Sequence, residues 1–449
     1  MVEAKEAKYL IIGNSAGGIG AAEAIRTLDS TGAVVIVSDE PYPAYSRPLI
    51  SEYLAGNCSL EGMLYRPVDF YQGNNIQAIL GCKVTGLDMN AHIAELANGG
   101  KIAWEKLLVA TGGQPIMPKM EGIARRGVFT FGSLDDAKAI DRFLGQQARR
   151  TIRVVVIGGG LIGVSVTEAL KKRKLEVVMV EMKERILNTI LDAETSALAE
   201  ETLQRAGVGI ITGHTVSHIT GYLPGEAGGV VLDNDQPVPA EMIVVAIGVQ
   251  PRLDLIAGTA IEINRGIIVD NHMAASVPDV YACGDVAEGY DFVYGENRLT
   301  PVWPNAYWGG RIAGLNMAGV KAEYGGGTAV NSMKYFGMNI VSAGRVVAPD
   351  DSYESVTSRN NGNYRKLLLK DGVIAGMVFS GDIEQSGIIY HLMKEKVNVS
   401  GFKRALVSDD FCLASLPEEN WRPIITLPDS IVASRIPVAA QPAGMFAGE

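Results

Sequence analysis

Gly13-Asn14-Ser15-Ala16-Gly17-Gly18 and Gly158-Gly159-Gly160-Leu161-Ile162-Gly163 decide the fold of this 449-residue chain. Each stretch follows a short β-branched run, residues 9–12 and 154–157, and each opens into an Ala-rich helical segment. The pattern is strand, tight turn, helix. Glycine lets the backbone bend sharply and approach a pyrophosphate, whose charge then rests on the free N–H groups of the helix N-terminus. One such turn is weak evidence, but two in the same setting imply two nucleotides held at once.

Working outward, the first unit continues to a strand at 34–37 that ends in Ser38-Asp39-Glu40. An acid at that point accepts hydrogen bonds from a ribose. Asp39 is the preferred residue and Glu40 its competitor. The second unit repeats the scheme with a helix through Ala169 and Leu170 and a strand at 177–180 that ends at Glu181. A carboxylate there bonds a 2′-hydroxyl and repels a 2′-phosphate, so Glu181 favours NADH, although Lys183 and Arg185 soften the repulsion. Leu107-Leu108-Val109-Ala110-Thr111-Gly112-Gly113 and Ile243-Val244-Val245-Ala246-Ile247-Gly248 read as buried strands entering glycine turns. Pro115, Pro118 and Pro251 stop them, which suits places where the chain crosses between nucleotide domains. Another buried strand, Val280-Tyr281-Ala282-Cys283-Gly284-Asp285, ends in an acid, and a helix with Pro304 in its first turn is expected from Trp303 to Met317. After Gly325-Gly326-Gly327 the texture changes to short alternating strands and a helix at 385–396, a separate α+β unit. Residues 431–449, rich in Ala, Pro and Gly, read as an extended tail.

The length exceeds a single core of roughly 250–300 residues, so several domains are expected. With 47% hydrophobic residues and a formal charge of −10, the chain reads as an α/β enzyme and not as a nucleic-acid or anionic-membrane binder, which needs a clustered basic face. No apolar run is long enough for a bilayer and residues 1–8 lack a secretory stretch, so a cytoplasmic location without membrane insertion is expected. Lys171-Lys172-Arg173-Lys174 reads as a solvated helix end. Cys58, Cys82, Cys283 and Cys412 show neither C-x2-C nor C-x4-C spacing, and the five histidines are scattered, so no metal site is expected.

Taken together, these residues resemble the two-dinucleotide flavoprotein family of pyridine-nucleotide oxidoreductases. Within it they are most similar to rubredoxin and ferredoxin reductases and to the flavoprotein part of NADH-dependent nitrite reductases. The resemblance spans residues 8–325, and Tyr45-Ser46-Arg47-Pro48-Leu49-Ile50-Ser51 is its most specific segment. It implies a glutathione-reductase-like α/β fold of two Rossmann-like domains. FAD would occupy 1–114 and 249–325, NAD 115–248, with a C-terminal α+β domain at 326–430 and the tail at 431–449. FAD would rest on Gly13, Ser15, Ala16 and Gly17, where Ser15 stands for the usual middle glycine. Asp39 or Glu40 would bond its ribose, Arg47 beside Pro48 its pyrophosphate, and Gly284-Asp285 its ribityl chain or adjoining phosphate. Val84, Ala110, Thr111 and Gly112 would line it, and Trp303 would lie near the pyrimidine end of the isoalloxazine. NADH would rest on Gly158, Gly160, Leu161, Ile162 and Gly163, with Glu181 and Gly248 beside it.

Two departures bear on chemistry. Relatives commonly carry Lys where this chain has Glu52 and an acid where it has Ser165, a pair near flavin N5; the joint change avoids an unpaired buried charge, which costs roughly 3–5 kcal/mol. Relatives also often place an FAD-binding Arg where Gly132 stands. Hydride would pass directly between the two cofactors without a side-chain acid or base. The wider family uses a cysteine or a C-x4-C pair near residues 42–50, and this chain has Arg47-Pro48-Leu49 there. Electron transfer with an iron–sulfur partner, a ferredoxin, a rubredoxin or a subunit of a redox complex, is therefore expected. The alternatives are an NADH oxidase making hydrogen peroxide and an NADH-sensing flavoprotein with a binding role. Arg125-Arg126, Arg365-Lys366 and Lys403-Arg404 are the candidate basic docking patches, and homodimer formation is a further expectation.

Overall fold

The computed structural model describes residues 5–146, 152–360 and 362–425; the tail expected at 431–449 lies outside them. Two sheets with parallel cores form the first two layers, and the strand orders of those cores match; the first also carries the antiparallel strands Val84–Asp88 and Ile93–Leu96. In the first, Lys5–Ile12 lies between Val34–Ser38 and Lys101–Val109, with Ile76–Leu80 beyond Val34–Ser38 and Val280–Ala282 paired to Lys101–Val109. In the second, Arg153–Ile157 lies between Glu176–Glu181 and Met242–Val245, with Val208–Thr212 and Val128–Thr130 at the edges. The Val- and Ile-rich runs are buried on both faces, as parallel strands covered by helices require. Each glycine turn leaves the C-terminal end of the central strand, the switch point where ligands of such sheets bind.

The helix Ala16–Leu28 packs on Trp303–Met317, and glycine makes the approach close enough. A Cβ on Gly310 would stand 2.0 Å from the Gly17 carbonyl oxygen, and one on Gly314 2.4 Å from that of Ala21. The two crossing segments, Gly113–Pro115 and Val249–Pro251, pair antiparallel with each other.

Residues 330–380 form a five-stranded antiparallel sheet backed by the helix Ser386–Lys394. Its first hairpin does not stand apart. Met333, Tyr335 and Ile340 share one core with Val164, Met179, Ile186 and Leu187 of the second parallel unit. A buried polar cluster reinforces the seam: Asp192 caps its helix by accepting from Thr195 N (3.0 Å), and also accepts from the Tyr364 hydroxyl (2.7 Å) and Lys366 Nζ (3.1 Å). Burial alone would raise the Asp192 carboxyl, but these donors hold it below the ordinary range.

Candidate functional site

A cleft of about 950 Å³ runs between the two parallel sheets and is closed at one end by the C-terminal sheet. It lies within the range of sites that enclose large organic ligands. The first glycine turn forms its floor. Gly13 has φ +124° and donates to the Val37 carbonyl (2.9 Å), and a Cβ on it would fall 2.1 Å from the Ala110 oxygen. Ser15 starts the helix, and its hydroxyl makes no capping bond, which leaves it for a ligand. Asn14 is fixed by Tyr71 and by the Tyr42 carbonyl.

Of the two acids after the second strand, Glu40 is already engaged. It accepts from the Tyr45 hydroxyl (2.8 Å) and from Arg47 Nη2 (2.6 Å). Asp39, 44% exposed, accepts from Arg252 Nη1 (2.9 Å) at the cleft wall. Arg47 also donates to the Gly132 carbonyl (3.0 Å). That explains Gly132: its backbone aims Arg47, and a side chain would meet Pro115 at 3.0 Å. Asp285 lines the same stretch; burial raises its carboxyl, and Arg47 pulls it back. Pro48, Val84, Ala110, Thr111, Gly112 and Gly284 line the cleft as well. Gly112, at φ +70°, has open space where a side chain would project. Trp303 opens its helix at the far end, against the edge of Tyr65 (centroids 5.0 Å), with no acid in the first turn. That terminus can favour negative charge.

The second turn repeats the first. Gly158 (φ +109°) donates to the Val180 carbonyl at 2.8 Å, and a Cβ on Gly163 would stand 1.9 Å from the Gly158 oxygen. Leu161 and Ile162 reach the cleft wall, whereas Gly158, Gly160, Gly163, Glu181 and Gly248 do not line the cleft itself. Gly158 and Gly160 belong to the turn between Arg153–Ile157 and Leu161–Lys172, Glu181 and Gly248 flank it at neighbouring strand ends, and Gly160 has open space beside it. Glu181, expected to face a ribose, accepts from Gly159 N (2.7 Å) and Lys183 N (2.8 Å), tying the turn to the next loop. Glu181→Ala is therefore expected to raise the KM for NADH about 10-fold and to narrow the preference over NADPH without making NADPH the better coenzyme. Steady-state kinetics with both coenzymes checks this; equal losses with both would leave the carboxylate no part in selectivity.

The remaining expectations hold only in part. Lys171–Lys174 is an exposed helix end as expected, but two of its cations have partners: Lys172 pairs with Glu52 (3.1 Å) and Glu168 (3.6 Å), and Arg173 donates to the Leu54 carbonyl and Asp141. The acid at position 52 is thus neutralised by a cation on the helix Leu161–Lys172, and Ser165 instead meets the hydroxyl of Tyr335 (3.2 Å). Of the basic docking patches, Arg365-Lys366 is largely buried, while Arg126 and Arg404 stay exposed. Arg365 is 2% exposed and paired with Asp382 and Asp409, Lys366 with Asp192, Lys403 with Glu354 and Arg126 with Glu226. Arg252 and the strand Val330–Tyr335 were missed as cleft residues. Arg252 directly follows the Gly248-Val249-Gln250-Pro251 crossing, a signal that could have been used; nothing in the sequence pointed to Tyr335.

A family model described as pyridine nucleotide-disulphide oxidoreductase matches residues 7–310, and one described as the rubredoxin NAD+ reductase C-terminal domain matches residues 330–397. The chain belongs to the pyridine nucleotide-disulphide oxidoreductase family. Family and site together define an FAD-dependent oxidoreductase that uses NADH. Similarity to the NADH-dependent phenylglyoxylate dehydrogenase subunit epsilon of Aromatoleum evansii is 29% identity over 92% of this chain and 98% of that one. Similarity to the NADH-rubredoxin oxidoreductase of Clostridium acetobutylicum is 30% identity over 84% of this chain and 92% of that one. A ferredoxin reductase structure from Rhodopseudomonas palustris shares the fold, with a TM-score of 0.81 at 22% identity over 91% of this chain and 99% of that one. Among the described residues no helix is long and apolar enough to cross a membrane.

Proposed function

We propose that this chain passes electrons between NAD(H) and an iron–sulfur protein, either a small carrier or a subunit of a larger NAD-linked complex, without a cysteine relay. The observation that carries the reading is the make-up of the cleft where helices from both nucleotide units converge. Its walls present Ser51, Glu52, Ser165, Glu168, Trp303 and Tyr335, and the two cysteines that line the cleft, Cys82 and Cys283, are both free and do not form a pair. Cys283 lines the cleft from beneath Gly17, is fully buried, and burial pushes its thiol up to about 12, far from a thiolate at neutral pH. Cys82 reaches the cleft beside Lys83 and Val84, next to the strand end that carries Asp39.

FAD, when bound, supplies the chemistry of accepting two electrons from NADH and releasing them singly. The protein supplies position and charge. Arg47 offers its guanidinium to a pyrophosphate, Asp39 with Arg252 faces a ribose, Asp285 stands below them, and the helix start at Trp303 supports negative charge. The two full-length relatives, one named for rubredoxin and one a subunit of an NADH-dependent dehydrogenase, support the choice of partner. With the paired basic residues set aside, we place docking on the helix that bears Trp303, where Trp308 is 57% exposed and Arg311 lies 5.9 Å from its ring.

Stopped-flow mixing with NADH should bleach the flavin within seconds, and oxidised rubredoxin or a two-iron ferredoxin should restore the colour faster than dissolved oxygen does. Restoration by oxygen alone, with stoichiometric peroxide, would instead mark an oxidase. A bleaching half-time of minutes would favour a sensing role.

A further inference from the structure

The cleft wall where the two nucleotides converge is completed by the C-terminal domain, through the strand Val330–Tyr335. On the helix Leu161–Lys172, the residues facing the cleft are Leu161, Ile162, Ser165 and Glu168, spaced so that they share one face. Tyr335 lies directly on that face. Its hydroxyl is 3.2 Å from Ser165 Oγ and 3.4 Å from the Leu161 carbonyl. Next to it, Phe336 N donates to Glu168 Oε1 (3.0 Å), so the hairpin is pinned to the helix at two consecutive residues.

The carboxylates around this point are spent, and Lys334, which also lines the cleft, projects to the face of its strand opposite Tyr335. Glu168 is held by the Phe336 amide and Lys172, and Glu52 by Lys172 and Asn57. What remains is a pair of hydroxyls. Tyr335 is 7% exposed, and burial pushes its phenol up to about 12, so it keeps its proton at any working pH. One proton ties the pair together, and the other can turn from the Leu161 carbonyl to a ligand, while lone pairs stay free to accept. A neutral site offering one donor and one acceptor suits a primary carboxamide better than a phosphate or carboxylate. A dinucleotide whose phosphates rest on the second glycine turn carries its nicotinamide along this helix face into the cleft.

We propose that Tyr335 and Ser165 bind the carboxamide of the nicotinamide ring, making the C-terminal domain part of the coenzyme site; this rests on the NADH and FAD reading above. The pair fixes the rotation of the ring, and so which face of its C4 turns toward the flavin.

The test compares NAD+ with ADP-ribose, which keeps both phosphates and both sugars but lacks the nicotinamide. Calorimetric titration of the FAD-loaded protein should show Tyr335→Phe and Ser165→Ala each weakening NAD+ about 5- to 10-fold, with ADP-ribose affinity unchanged. Stopped-flow reduction by NADH should slow in the same variants. Tyr335→Phe keeps the ring in its core, and Ser165→Ala covers the case in which that ring shifts. Equal weakening of both ligands, or an unchanged NAD+ affinity in both variants, overturns the proposal. A shifted flavin midpoint potential with unchanged NAD+ affinity also overturns it, because the hydroxyls would then serve the flavin. Failure of the underlying reading looks different: the wild-type protein would bind neither ligand.

Discussion

Gly163→Ala is expected to yield a yellow protein that NADH no longer bleaches efficiently, and Gly18→Ala a pale one that loses its flavin on gel filtration. The two positions are geometric twins. A Cβ on Gly163 would stand 1.9 Å from the Gly158 oxygen, and a Cβ on Gly18 2.0 Å from the Gly13 oxygen. Neither contact can be relieved by a side-chain rotation, because both obstacles are backbone and both lie in the turn that must cradle a phosphate. Overpacking of this kind costs about 1–3 kcal/mol, which corresponds to roughly 5- to 150-fold in affinity if it is taken from the bound state. Absorbance at the flavin band after desalting reads one site, and the concentration dependence of bleaching reads the other. Loss of flavin from Gly163→Ala would mean that the two turns are not independent sites, and the assignment of one nucleotide to each would fail.

Arg47→Ala should abolish flavin retention at micromolar protein. The guanidinium joins Glu40, Tyr45, the Gly132 carbonyl and the Asp285 stretch of the cleft. Its removal would strand the Glu40 carboxylate and leave Asp285 without the one cation that counters its burial. Losing charge-assisted bonds of this quality costs about 1.5–3 kcal/mol, or roughly 10- to 100-fold in flavin affinity. Arg47→Lys should recover only part, since an ammonium cannot serve Glu40 and the Gly132 carbonyl in the fixed geometry of a planar fork. Fluorescence of released flavin during dilution gives the affinities. A variant Arg47→Ala that remained fully loaded would remove Arg47 from the pyrophosphate site.

The fold was legible because its deciding contacts are local. Gly13 and Gly158 announce themselves by the strand before and the helix after, and the Val- and Ile-rich runs mark strands buried on both faces. The helix from Trp303 to Met317 was likewise bounded correctly by its proline and its small residues. Charge was not legible in the same way. Whether Arg365 sits in water or between two aspartates depends on loops at 382 and 409, and the alternation of its strand does not say which face those loops cover. The partner of Lys172 was not legible because Glu52 lies 120 residues earlier. The Ser165 and Tyr335 pair, 170 residues apart, was still further out of reach. A hydroxyl advertises no partner, and a tyrosine in an alternating strand reads as packing.

Because Met333, Tyr335 and Ile340 are buried in the same oily seam as Val164, Ile186 and Leu187, the C-terminal sheet is not a detachable accessory. A version ending near residue 325 would present a raw greasy flank in place of a smaller working protein, and would be expected to clump. Any swivel of the coenzyme lobe must also carry the C-terminal sheet along as one solid piece.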